Sequence, residues 1–146
     1  MLLFSYGSNH PKQLAERLGH PIVGRGAYIE GWQRVFRGWS DRWDGGVASL
    51  EKKGGTTAVT YGYVADVSPA DLDRLDRFEG VGNGKYKRMG VTVRVPEDYA
   101  THTLPAVVYV STSRTFNAPS PLYLKAVAKT VGTFWRGAKP EDFPIR

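Results

Sequence analysis

The chain opens on consecutive apolar positions, Leu2-Leu3-Phe4, that run into the polar turn Tyr6-Gly7-Ser8-Asn9 and then Pro11. An unbroken apolar run of this length, closed by turn residues, predicts a short buried strand over residues 2–5. Pro11 near a first helical position and Gly19 as a stop predict a helix over 11–18. Apolar alternation predicts strands over 22–29, 32–36, 47–50 and 59–67. Between them lie a polar loop with the pair Gly45-Gly46 and a turn at Lys52-Lys53-Gly54-Gly55. Two further strands are expected over 91–95 and 106–110, and a C-terminal helix over 123–135 after the segment "NAPSP".

The clearest helix signal lies in "SPADLDRLDRFEG", residues 68–80. Ser68 reads as the N-cap, Pro69 as the first helical residue and Asp71 as the acid at the third position. Leu72, Leu75 and Phe78 fall on one face, and Gly80 ends the helix. Asp71, Asp73 and Asp76 alternate with Arg74 and Arg77, which predicts a solvated face with pairs along the helix. Strands and helices mix without a strict βαβ rhythm. The expected fold is α+β, a small mixed sheet, closed into a barrel or strongly curled, flanked by a few helices.

Composition narrows the class. At 146 residues the chain is expected to form one domain, residues 1–146, and 41% hydrophobic residues suffice for a core. No apolar run approaches a membrane span and the N-terminus lacks a signal-peptide pattern, so no membrane association is expected. The absence of cysteine excludes disulfides, thiolate metal sites and cysteine nucleophiles, and a cytoplasmic location fits it best. A net charge of +6 admits an acidic small molecule or a nucleic acid as partner. Trp32, Arg34, Arg37, Trp39, Arg42 and Trp43 form the nearest approach to a basic-aromatic patch. The cations are otherwise scattered, which favours solvated arginines beside core aromatics over a nucleic-acid surface.

Two segments carry chemistry. Glu79 falls on the last turn of its helix, where the macrodipole opposes a negative charge, and partial burial would raise its pKa further. Both effects move a carboxylate toward proton exchange near neutrality. The other is Tyr6-Gly7-Ser8-Asn9, a strand end opening on a helix N-terminus, whose amides suit a carboxylate or an oxyanion. Gly7 permits close approach to the backbone. Ser8 lacks the surroundings of a nucleophile elbow. His10, His20 and His102 show neither metal-ligand spacing nor an acidic partner in sequence, so no metal site is expected.

In order and spacing, "FSYGSN", "WDGGVASL", "YGYVADVSPADLDRLDRFEGVGNGKYKR" and "APSPLYLKAV" resemble the γ-glutamylcyclotransferase family from residue 3 to about residue 131. The resemblance implies a barrel-based α+β fold that releases 5-oxoproline from γ-glutamyl compounds by intramolecular cyclisation. It implies that Tyr6, Gly7, Ser8 and Asn9 hold the glutamyl head, that Glu79 is the acid/base, and that Tyr86, Tyr109 and Tyr123 line the pocket. It implies no cofactor, and a homodimer is known among such proteins. The spacing of "EGVGNGKY" and "APSPLY" is nearer the branch acting on γ-glutamyl amino acids than the γ-glutamylamine branch. Two other readings remain at this point: a binding module that holds a small acidic or γ-glutamyl ligand without turnover, and a basic nucleic-acid-binding domain.

Overall fold

In the computed structural model, residues 1–54 and 57–143 are described. The strands are β1 (Leu2–Ser5), β2 (Gly24–Glu30), β3 (Trp32–Ser40), β4 (Gly45–Lys52), β5 (Val59–Asp66), β6 (Tyr86–Glu97) and β7 (Ala100–Ser111). The helices are α1 (Pro11–Leu18), α2 (Pro69–Glu79) and α3 (Pro121–Phe134). Five strands close a barrel in the order β1-β5-β2-β6-β7, and β3 and β4 form a separate antiparallel pair. Closure comes from a parallel contact between β1 and β7, while the other barrel neighbours run antiparallel.

The apolar run of β1 has a direct cause. Phe4 packs into the core formed by the barrel, the β3–β4 pair and α3, and Leu3 packs the opposite way against α1 and α2. A strand covered on both faces needs apolar residues at successive positions, not alternate ones. Its register is set by Leu2 to Ser5 lying opposite Asp66 to Tyr63 of β5.

Helix α2 ends as its punctuation dictates. The Ser68 hydroxyl accepts the Asp71 amide at 3.0 Å, the Asp71 carboxylate accepts the Ser68 amide at 3.0 Å, and Gly80 adopts the left-handed conformation, φ 68°. Leu72 and Leu75 are fully buried against Leu3, Leu14 and Leu18. Each such leucine contributes roughly 1.5–3 kcal/mol of transfer free energy. Phe78 departs from the expected face. It is 55% exposed and carries the Arg17 guanidinium over its ring at 5.1 Å.

The predicted solvated face of α2 is exposed at Asp73, Arg74 and Arg77, but the pairs expected along the helix are replaced by partners elsewhere. Asp71 pairs with His20 at 2.9 Å, Asp76 with Arg88 at 3.1 Å, and Arg74 donates to the carbonyl of Leu18 at 2.9 Å. These partners lie on α1, its C-terminal loop and β6, because α2 is wedged between elements remote in sequence. By the same tertiary route His20 acquires Asp71, while His102 meets Glu97 at 3.6 Å locally, across the turn from β6 to β7.

Strands β6 and β7 are each 12 residues, longer than the cores expected at 91–95 and 106–110. Their ladder continues past the apolar core as a two-stranded arm, where hydrogen bonding persists without hydrophobic alternation. β3 and β4 likewise extend beyond their apolar centres, and α3 begins two residues before Tyr123. The expected turn at Lys52-Lys53-Gly54-Gly55 reaches Gly55, which lies outside the described residues. Among the described residues no helix is long and apolar enough to cross a membrane.

Candidate functional site

The end of β1 feeds the loop Tyr6 to Asn9, and the loop is tied down from below. The buried Tyr6 hydroxyl donates to the Tyr109 carbonyl at 2.6 Å. The Tyr6 carbonyl accepts from Nε of Arg34 at 2.8 Å, and the Asn9 carbonyl accepts the Tyr63 hydroxyl. These contacts use carbonyls and leave the donors alone. Among the described residues, the amides of Gly7, Ser8 and Asn9 have no protein acceptor. A methyl group at Gly7 would stand 3.4 Å from both the Ala48 side chain and the Tyr123 hydroxyl. The glycine thus keeps the loop from crowding Ala48 and Tyr123, and the loop beside it borders an open space.

That space is a cavity of about 520 Å³, lined by all eight residues singled out from the sequence: Tyr6, Gly7, Ser8, Asn9, Glu79, Tyr86, Tyr109 and Tyr123. Its size suits a small metabolite. Glu79, the last residue of α2, is half-buried in the wall and accepts a hydrogen bond from Nδ2 of Asn9 at 3.2 Å. Burial raises its pKa above the ordinary carboxylate value, opposed by the Asn9 bond and the positive charge of Arg17.

The tyrosines differ in what their hydroxyls do. Tyr123, at the start of α3, accepts the Ala48 amide at 2.8 Å, and burial pushes its pKa up to about 12. Tyr109 lends its ring to the cavity, but its hydroxyl is anchored to α2 through Asp76, 2.7 Å, and the Leu72 carbonyl, 3.2 Å. Tyr86, ahead of the strand expected over 91–95, is the first residue of β6, and burial raises its pKa strongly. Phenols so shifted stay neutral across the working range and can donate hydrogen bonds into the cavity.

Several lining residues escape a reading of the sequence. Arg17 of α1, Arg42 and Trp43 of the β3–β4 connection, and Lys85 before β6 all face the same space. Arg17 reads in sequence as an ordinary cation in the last turn of a helix. It reaches back along α1 to Asn9, whose Oδ1 accepts from it at 3.2 Å, and α2 brings Phe78 and Glu79 to the pair. The glycine pair at 45–46 does hold a signal. A methyl at Gly46 would lie 2.0 Å from the Asn117 carbonyl, so the pair marks a close crossing of the segment leading into α3.

The basic-aromatic patch is divided: Trp39 and Arg42 are exposed, whereas its other aromatics and Arg34 turn inward. Arg34 is buried with its guanidinium over Phe143, Trp32 packs against the core, and the Trp43 ring stands 5.2 Å from that of Tyr123. His10 caps α1, its ring accepting the Lys12 amide at 3.2 Å. Among the described residues, no group of three His, Cys, Asp or Glu side chains is placed to hold a metal ion.

Comparison with known proteins gives consistent results at two levels. The chain resembles in fold an uncharacterized Homo sapiens protein, with a TM-score of 0.82 and 22% identity over 99% of this chain and 88% of that one. A solved gamma-glutamyl cyclotransferase gives a TM-score of 0.81 and 21% identity over 99% and 88%. A yeast gamma-glutamyl cyclotransferase specific to glutathione is more distant, with a TM-score of 0.60 and 15% identity over 98% and 82%. No curated protein sequence matches the chain. The profile described as "Gamma-glutamyl cyclotransferase, AIG2-like" matches residues 3–125, from β1 through the first turn of α3 and thus across the whole cavity. The chain belongs to this gamma-glutamyl cyclotransferase, AIG2-like family.

Proposed function

We propose that the protein cyclises γ-glutamyl amides, releasing 5-oxoproline and an amine or amino acid, with Glu79 as the acid/base. The observation that carries this reading is a half-buried carboxylate across a small cavity from a loop of unpartnered amides. The substrate contains its own nucleophile, an α-amino group that is protonated at neutral pH. Glu79 as carboxylate takes a proton from that ammonium, and the freed nitrogen attacks the γ-carbonyl carbon to close a five-membered ring. As the tetrahedral centre collapses, the bond to the departing nitrogen breaks. Of the three ammonium protons, one stays on the ring nitrogen and two end on the departing amine, carried by Glu79.

The amides of Gly7, Ser8 and Asn9 hold the substrate α-carboxylate or the developing oxyanion. The neutral phenols of Tyr86 and Tyr123 fix the curled conformation. Both reactants belong to one molecule, so holding it curled supplies the orientation term. The chemistry consists of proton transfers and acyl transfer, for which the chain's own groups suffice. Arg17, Arg42 and Lys85 around the cavity favour a substrate with negative charge.

The test incubates purified protein with γ-glutamyl dipeptides, γ-glutamyl-lysine and glutathione, and follows 5-oxoproline by mass spectrometry. Turnover on at least one compound is expected, with Glu79→Gln slower by about 10²–10⁴. A Glu79→Gln protein within about tenfold of the native rate would remove Glu79 from the mechanism. Tight binding of γ-glutamyl ligands without turnover would assign the cavity to a binding module instead.

A further inference from the structure

We infer that Arg17 is a positioning residue that fixes the side-chain amide of Asn9 and, through it, holds Glu79 ready as a proton acceptor. The inference rests on the acid/base role proposed for Glu79. Its basis is a chain of three side chains from three separate places in the sequence. Arg17 donates to Oδ1 of Asn9 at 3.2 Å, and Nδ2 of the same amide donates to Oε1 of Glu79 at 3.2 Å.

The chemistry of the donors gives this chain a direction. A guanidinium has only donors, so it can meet only the oxygen end of an amide. With Oδ1 turned to Arg17, the amide must present its NH₂ to Glu79. An NH₂ group bonds well to a carboxylate and poorly to the protonated acid's hydroxyl. Without Arg17 the amide could turn over and offer its oxygen to a protonated Glu79, which favours the wrong state for accepting a proton. The rest of the arrangement limits other motions. The Asn9 backbone is held by Tyr63, and the guanidinium lies 5.1 Å over the Phe78 ring. The exposed Phe78 beside Glu79 thus has a use: it is a platform for Arg17.

Other groups around Glu79 do not substitute for Arg17. Tyr6 from β1, Tyr86 from β6, Tyr109 from β7 and Tyr123 from α3 all face it electrostatically, and burial keeps each phenol neutral. Arg77 on α2, Lys85 before β6, and Asp41 and Arg42 from the β3–β4 connection line the same cavity, and Arg42 also repels Arg17. Neither Arg77, Lys85 nor Arg42 makes a hydrogen bond to Asn9 or Glu79.

The test compares Arg17→Leu, which removes the donor, with Arg17→Gln, which keeps an uncharged donor, and Arg17→Lys, which keeps a charged one. Glu79 is titrated in the ligand-free protein by carboxyl-¹³C NMR, its resonance assigned from the spectrum of Glu79→Gln. The expected result for Arg17→Leu is an upward move of the Glu79 midpoint. The acid limb of kcat/KM should move the same way. At the acid end kcat/KM should fall by about tenfold, the worth of one charge-assisted hydrogen bond, mainly in kcat. Arg17→Lys should restore most of both, and Arg17→Gln part. A Glu79 midpoint unmoved in folded Arg17→Leu and Arg17→Gln proteins would overturn the inference. The NMR arm needs no turnover. A midpoint moved in Arg17→Leu and partly restored in Arg17→Gln, in a protein inert toward every γ-glutamyl compound, would sustain the relay while the proposed activity fell. Equal shifts in the two would leave only the direct charge of Arg17 and overturn the relay.

Discussion

Nε of Arg34 donates to the backbone carbonyl of Tyr6 at 2.8 Å, and its Nη2 donates to the carbonyl of Tyr61 at 2.6 Å. A buried guanidinium thereby spans β3, the foot of the cavity loop and β5. Burial lowers its pKa to about 10, so it stays charged at neutrality. The fork geometry is what matters here, since an ammonium is a point donor on a flexible stem. Arg34→Lys is therefore expected to lose at least one of the two bonds and destabilise the protein by about 1.5–3 kcal/mol. Urea denaturation of the two proteins, with matched m-values, checks this. A change below about 0.5 kcal/mol would mean that the two carbonyls do not depend on the fork.

Glu79 should weaken the fold at the pH where it works. Its folded pKa is raised above the ordinary 4.5, chiefly by burial. The folded protein therefore holds the proton more tightly than the unfolded chain does. The stability this gives is fully present below the unfolded pKa, falls as pH rises through the window between the two values, and is lost above the folded one. Glu79→Gln does not titrate. Its melting temperature relative to native should climb across that window and level off above it. A difference that is flat with pH, or that falls as pH rises, would contradict a raised carboxylate pKa.

How much of this is readable in the chain follows from which interactions are local. Helix α2 is legible almost to the residue, because Ser68, Pro69, Asp71 and Gly80 act within a few positions of themselves. The run 2–5 is legible because a doubly covered strand writes its burial into every position. The α+β barrel and the family follow from the blocks around Glu79 and Tyr6. Phe78, Asp71 and Asp76 mislead because each is decided by an element far away in sequence: Arg17 on α1, His20 after it, and Tyr109 on β7 with Arg88 on β6. The patch from Trp32 to Trp43 misleads for a related reason. A buried arginine and a solvated one look alike until the carbonyls that the guanidinium meets are known.

Two glycines separate close approach from mere permissiveness. Gly46 lies at the start of β4, where its amide donates to the Ala118 carbonyl at 3.0 Å. A methyl group there would meet the Asn117 carbonyl oxygen at 2.0 Å, and backbone cannot swing aside as a long side chain can. The segment that would have to move is itself anchored, since Nδ2 of Asn117 donates to the Gly38 carbonyl at 2.7 Å. It leads directly into α3 and so to Tyr123 in the cavity wall. Gly46→Ala is expected to destabilise by about 1–3 kcal/mol or more through overpacking. It should also lower kcat/KM, because Tyr123 shifts against the loop at Gly7. Gly90, in the exposed part of β6, has open space within 4 Å of where a methyl group would stand, and no left-handed φ. Gly90→Ala should leave turnover intact and stabilise by about 0.4–1 kcal/mol, through the lost freedom of the unfolded chain. Denaturant curves and kcat/KM for both variants decide the matter. Equal behaviour of the two would mean that segment 117–119 yields easily, and that the cavity wall does not depend on the crossing at Gly46.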